Sequence, residues 1–299
     1  MTEERSAQQA SARVQKAIER MREDLPQLAT VFDAFKGLLA AQAALKAELP
    51  SINNNDLSID PIQYSQGVPI LAGEAFTLSA DDLRRASKRI MPTMEKGFPK
   101  IKKQLTVIKK AIESKNQDSG LCLTAMGACA DEEINRTASN LGVDMGILQF
   151  VLGQLAKPFV QKQADSLTPL PQDLQWHKGY CPVCGSWPEM GFLEGKEGHR
   201  WLRCSFCSHE WAYMRTKCPF CESEDQDKLE LLFSEDRNSE RAELCYGCMK
   251  YLVSVDLRDR ADDVVREAAP LGLVYLDVLA QDKGFSPGAI CGWNVIDQG

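Results

Sequence analysis

The chain has 299 residues, 44% hydrophobic and 26% charged, with a formal net charge of −7. That is enough for one large domain or two medium ones, and the apolar fraction suits a folded protein. The acidic balance argues against broad electrostatic affinity for nucleic acid or anionic lipid, though it leaves room for a local basic face.

The first residues, MTEERSAQQASARVQKAIERM, mix acids and bases and hold no apolar signal core. No run approaches the roughly 18 uninterrupted apolar residues of a membrane helix. The expectation is a cytoplasmic protein with no membrane insertion. Apolar residues three and four apart then predict helices over 6–22, 26–48, 79–91, 96–115, 131–140 and 144–164. In the second of these, Leu28, Val31, Phe32, Phe35, Leu38 and Leu39 form one apolar stripe, with Asp24 as its expected cap and Pro26 in its first turn. Residues 51–75, with three Asn, two Pro and two Gly, read as a long irregular connection.

Beyond the link SLTPLPQDLQ the pattern changes to short β-type runs: 199–204, 209–215, 228–233 and 250–255. A closing helix over about 261–282, kinked or interrupted at Pro270, precedes an irregular tail. The expected fold is α+β: an all-α N-terminal domain (1–172), tandem zinc-ribbon or rubredoxin-like metal modules (173–258), then a C-terminal helix and tail (259–299).

Eight of the 11 cysteines fall into four Cys-x-x-Cys pairs between the β-type runs: Cys181/Cys184, Cys204/Cys207, Cys218/Cys221 and Cys245/Cys248. Chance at this cysteine frequency gives roughly half of one such pair. Two intervening residues let a tight turn aim both sulfurs at one point, and two such turns supply the tetrahedral thiolate set of zinc or a rubredoxin-like iron. Four pairs therefore predict two metal ions per chain, Fe or Zn, each in a four-cysteine site. Joining neighbouring pairs is favoured over an interleaved arrangement. Each half of the module is too small to fold on burial alone, and a structural zinc supplies about 10–16 kcal/mol of apparent binding free energy. Gly185, just after Cys184, fits a turn that needs positive φ; Ser208, Glu222 and Met249 follow the other pairs.

Other residues carry less. Cys122 and Cys129 read as core thiols, and Cys291 as a tail thiol. His177, His199 and His209 read as groups beside the sites or at the surface, because the cysteine quartets are already complete. Trp187, Trp201 and Trp211 are candidates to cover the metal sites. Lys196, Arg200, Arg203, Arg215 and Lys217 read as the solvated side of two strands, with a basic docking face as the sharper alternative. No phosphate loop, nucleophile elbow or paired-carboxylate pattern is present, so no catalytic residue and no enzyme activity is expected.

The wording of this region resembles the formate dehydrogenase accessory protein FdhE family. The segments that carry it are CPVCGSWP at 181–188, RWLRCSFCSHEWAYMRTKCPFCES at 200–223, AELCYGCMKYLVSVDLRD at 242–259 and ADDVVREAAPLGLVYLDVLAQDKGF at 261–285. One departure is Met249, where the family pattern has Gly. The resemblance implies a cytoplasmic maturation factor, chaperone-like, acting on the catalytic subunit of a molybdenum- or tungsten-dependent formate dehydrogenase. It also implies metal on the cysteine pairs, as iron in a rubredoxin-like setting. The residues alone leave two alternatives: a zinc-ribbon nucleic-acid binder using the basic residues at 196–217, and a rubredoxin-like electron carrier.

Overall fold

The structure, a computed structural model, describes residues 2–50, 59–71, 78–114, 121, 131–167, 170, 175–258 and 264–295. It divides into two compact units, Met1–Ile52 with Gly73–Gln163, and Asn53–Ala72 with Ala164–Gly299.

The first unit is helical: α1 (Thr2–Asp24), α2 (Ala29–Glu48), then, past a second-unit insertion, α4 (Ala80–Gly97), α5 (Lys102–Glu113), α6 (Asp131–Leu141) and most of α7 (Met145–Ser166). The predicted stripe on α2 is its core face: Phe32, Phe35, Leu38 and Leu39 are buried, against α1 and α4. The expected Asp24 cap is absent. Leu25 precedes a 3-10 turn, Pro26–Leu28, that leads into α2 with no side-chain cap. At α4 the chain does cap itself: Ser79 and Asp82 exchange side-chain-to-backbone hydrogen bonds in a capping box. Gly97 lets α4 end directly on α2, since a Cβ there would lie 2.1 Å from the Ala34 carbonyl oxygen. By length and composition, Pro26–Glu48 is apolar enough to cross a membrane. Core helices pass the same test, and this one has its aromatic and leucine side chains buried inside the unit.

The second unit is built on a seven-stranded sheet. Its strands are β1 (Pro188–Glu194), β2 (His199–Cys204), β3 (Glu210–Ala212), β4 (Leu229–Leu232), β5 (Glu240–Cys245), β6 (Lys250–Asp256) and β7 (Ser286–Pro287). The order is β3-β2-β1-β6-β5-β4, with β7 pairing with the start of β6. Two antiparallel triplets are thus welded at the parallel pair β1–β6, where Gly191 to Leu193 face Ser254 to Asp256. β1 and β5 lie outside the β-type runs read from the sequence; PEMGFLE and ERAELC hold too many charges and helix formers to announce themselves.

Residues opposite one another on paired strands share a face. One face presents Phe192, Ala242, Leu244, Tyr251, Val253 and Val255 to Leu273, Leu276 and Ala280 of the C-terminal helices. Those helices, α8 (Ala269–Gly272) and α9 (Val274–Asp282), are shorter than the predicted 261–282; residues 259–263 lie outside the described set. Pro270 sits in the first turn of α8, where its missing N–H is harmless, and does not kink a longer helix. The tail residue Asn294 is buried, accepting from the Cys291 amide and donating to Ala289 O.

Residues 59–71, read as part of an irregular connection, hold a short helix α3 (Pro61–Ser65) capped by Asp60. They belong to the second unit because their backbone is bonded to it: Ile70 N donates to Pro182 O at 2.8 Å and Leu71 N to Val183 O at 3.0 Å.

Candidate metal centre

The four Cys-x-x-Cys turns close in a common way. In the first, third and fourth, the amide four residues after the first cysteine donates to that cysteine's carbonyl: Gly185 to Cys181 (2.9 Å), Glu222 to Cys218 (3.0 Å) and Met249 to Cys245 (2.8 Å). The first cysteine's own amide donates one residue further on, Cys181 to Ser186, Cys204 to His209 and Cys218 to Ser223. The residue after the second cysteine must therefore turn through the left-handed region. It does so in all four: Gly185 (φ 77), Ser208 (φ 60), Glu222 (φ 58) and Met249 (φ 55). Sequence reasoning secured this only for Gly185, since the other three residue types do not advertise positive φ.

Two strands carry each pair of turns. The sulfurs of Cys181, Cys184, Cys204 and Cys207 gather at the β1–β2 end, and those of Cys218, Cys221, Cys245 and Cys248 at the β4–β5 end. Neighbouring pairs thus combine. Within each group all sulfurs lie within 4.8 Å of one another. The closest separations are 3.4 Å (Cys184–Cys204), 3.5 Å (Cys181–Cys207), 3.6 Å (Cys221–Cys245) and 3.8 Å (Cys218–Cys248). A tetrahedron with metal–sulfur bonds of about 2.3 Å has edges of about 3.8 Å, so both groups have the size of a tetrathiolate metal site. Backbone amides of Val183, Phe206, Cys207 and Phe220 point at the sulfurs at 3.4 Å, the dipoles that offset thiolate charge. The donor set fits zinc or iron equally.

Charge decides what the groups do without a cation. Burial pushes the Cys181 and Cys207 thiols well above their ordinary range, while their donation to Cys184 holds that thiol low. At the second group burial likewise raises Cys218, and raises Cys248 to about 11. A quartet therefore resists becoming four thiolates until a metal arrives.

The two groups differ in access. Cys181, Cys204 and Cys207 are buried, with 0–1% exposure. In the second group Cys221 is exposed and Cys248 is half-buried. A chain of aromatic contacts runs between them: Tyr64–Trp176 (4.8 Å between centroids), Trp176–Tyr180 (5.4 Å), Tyr180–Trp187 (5.8 Å) and Trp187–Phe220 (5.7 Å). Phe220 lies inside the third turn, and Lys250 sits 5.8 Å from both the Trp187 and Phe220 rings. Gly179 allows the first and third turns to meet, because a Cβ there would fall 1.8 Å from Pro219 O.

The other candidates separate. His177 and His199 are exposed, His209 is buried and held neutral, its pKa lowered to about 4 by burial, and none of the three joins a sulfur group. Trp187 does lie beside the sites, whereas Trp201 stacks on Phe192 in the sheet core and Trp211 donates to Lys178 O. The basic strand is neither a solvated face nor a docking face where it matters most. Arg200 and Arg203 are 3% and 4% exposed and paired with Glu243 and Glu189. Lys196 and Arg215 are exposed. Cys291 is buried; Cys122 and Cys129 lie outside the described residues.

Fold and site together define a two-unit α+β protein whose sheet carries two four-cysteine groups of metal-site size, a ribbon pair fused through its central strands. Residues 180–215 match the family model described as FdhE, central domain. A protein FdhE homolog of Aquifex aeolicus is 35% identical over 147 residues, 48% of this chain and 51% of that one. One from Haemophilus influenzae is 34% identical over 110 residues, 36% of this chain and 35% of its own. The chain thus spans about half the length of the first relative and about a third of the second. The crystal structure of the FdhE protein from Pseudomonas aeruginosa superposes with a TM-score of 0.58 at 23% identity, covering 93% of this chain and 92% of that one, a likeness of fold. The resemblance to FdhE read from the cysteine segments is thereby shown.

Proposed function

We propose that this protein is an FdhE-type accessory factor that helps a formate dehydrogenase reach its active state. It would bind the immature catalytic subunit, in the cytoplasm, through the sheet unit. In this reading Cys181, Cys184, Cys204 and Cys207 hold one ion, and Cys218, Cys221, Cys245 and Cys248 a second. The ions supply the cross-links that fix the sheet's two ends. No catalytic residue is assigned. The observation that carries the reading is the placement of two sulfur quartets of metal-site size on one continuous sheet, in a sequence that matches FdhE proteins. Closed quartets leave no protein-free coordination position of the kind a catalytic zinc keeps, which favours a scaffold over an enzyme.

The test replaces Cys181 and Cys184 by Ser in a host whose formate dehydrogenase depends on this protein. Client synthesis is expected to continue while formate oxidation is lost, and the variant is expected to fail to retain the client in a pull-down. Undiminished formate oxidation would refute the proposal.

A further inference from the structure

The sheet face turned away from the C-terminal helices holds a pocket of about 240 Å³. It lies wholly within the second unit, beside the second cysteine group. Its polar lining comes from Arg200, Arg215, Thr216, Lys217, Arg241 and Ser254. Leu193, Leu229 and Leu231 supply apolar walls.

The acids of this pocket are committed. Glu243 pairs with Arg200; Asp256 takes both Arg241 and Arg258, which hold its carboxyl down at about 2; Glu230 pairs with Lys283 and accepts from the Tyr246 hydroxyl. The cations are not all matched. Arg215 has no ion pair or hydrogen bond among the described residues. Lys217 is ion-paired with Glu222 and Glu224 at 3.6 and 3.7 Å. Arg200, with a side chain 2% exposed, donates to Met214 O (3.1 Å) and Lys217 O (2.9 Å), so it fixes the loop that carries these two cations. Its Nε lacks any partner, an orphan donor in a buried guanidinium.

We infer that this pocket binds a carboxylate carried on a short apolar stem. One cation without an acid in range, Arg215, suits a single negative charge, and its fork matches a carboxylate's two oxygens. The leucine walls suit a stem of a few carbons, and the volume falls below that of drug-sized sites, about 300–1,000 Å³. A free small acid and a protein C-terminus share this chemistry. The inference does not rest on the formate dehydrogenase reading.

The probes are butyrate with its neutral isostere butyramide, and N-acetyl-Ala-Leu with its C-terminal amide. Each is titrated into the full metal-loaded chain while the backbone resonances of Thr216, Leu229 and Ser254 are followed. At least one acid is expected to give saturable shifts that salt weakens, and its amide none. Saturation by butyrate identifies a free acid as guest; saturation by the peptide acid alone identifies a chain end. Arg215→Gln, at an exposed position, is expected to weaken binding about tenfold, the loss of one charge-assisted contact. Leu231→Asp, which leaves every cation in place, is expected to abolish it by repulsion. Equal binding of acid and amide, no saturation by either acid, equal competition by inorganic phosphate, or unchanged affinity in Arg215→Gln would overturn the assignment.

Discussion

At most positions alanine is worth more than glycine, because glycine has more backbone freedom to lose on folding, about 0.5–1 kcal/mol. Position 249 should invert that order. Met249 closes the last cysteine turn at φ 55, where an L-residue suffers a Cβ–carbonyl clash of roughly 1–2 kcal/mol. Its amide and carbonyl are both engaged, with Cys245 O and Ser286 N, so the backbone cannot relax away. Met249→Ala and Met249→Gly lose the same half-exposed side chain, and only the second escapes the clash. The difference, about 0.5–1 kcal/mol in favour of Gly, corresponds to about 1–4 °C in melting temperature for a unit of this size. Gly185→Ala should lose at least as much, since φ is 77 and the new Cβ would stand 3.2 Å from Pro69 Cγ. Urea unfolding of the metal-saturated variants, followed by circular dichroism, measures both. If the alanine form at 249 equals or exceeds the glycine form, the claim that all four turns share one strained geometry is wrong.

Two further outcomes are expected. Cys221 is exposed and Cys248 half-buried, whereas three ligands of the first group are sealed, so a chelator should strip the second ion before the first. Native mass spectrometry during chelation should pass through a one-ion species, and Cys221→Ser should accelerate only that first loss; simultaneous loss of both ions would contradict the difference in access. Asp277 on α9 is pushed up to about 7 by burial, against the hydrogen bond donated by the Tyr251 hydroxyl (2.7 Å). A carboxyl raised above its unfolded value binds more protons when folded, so it erodes stability as pH rises from the ordinary carboxylate value to about 7. Asp277→Asn should therefore stabilise the protein more at pH 8 than at pH 5, measured by denaturant titration; an equal effect at both would exclude the titration.

The chemistry was more legible than the scaffold. Cys-x-x-Cys spacing is a local geometric device, so it can be read without knowing the tertiary structure, and the hairpin-length gaps favoured neighbouring pairs. Strand β2 was also readable, since HRWLRC alternates. Strand β1 was not: all but its last residue are buried, so period-two contrast is absent. The fate of Arg200 and Arg203 was hidden for a related reason. Whether a basic residue on a strand meets water or a buried Glu189 or Glu243 depends on which segment lies beside it, and that is set by long-range pairing. The same applies to residues 59–71, whose polar, Pro-containing composition says connection while their bonds to Pro182 and Val183 make them a part of the unit that carries the cysteine groups.

The parallel pair β1–β6 also sets an order of events during synthesis. A chain leaving the ribosome exposes Cys181 to Cys207 and strands β1 to β3 first, so the first ion can be taken up and the first triplet formed early. The inner side of β1 then remains an open edge until residues 254–256 emerge and pair with 191–193. Open edges recruit other strands, and here closure must wait for the second triplet to assemble. An edge held open until residues 254–256 arrive is thus the part of the sheet most exposed to wrong pairing while the chain is incomplete.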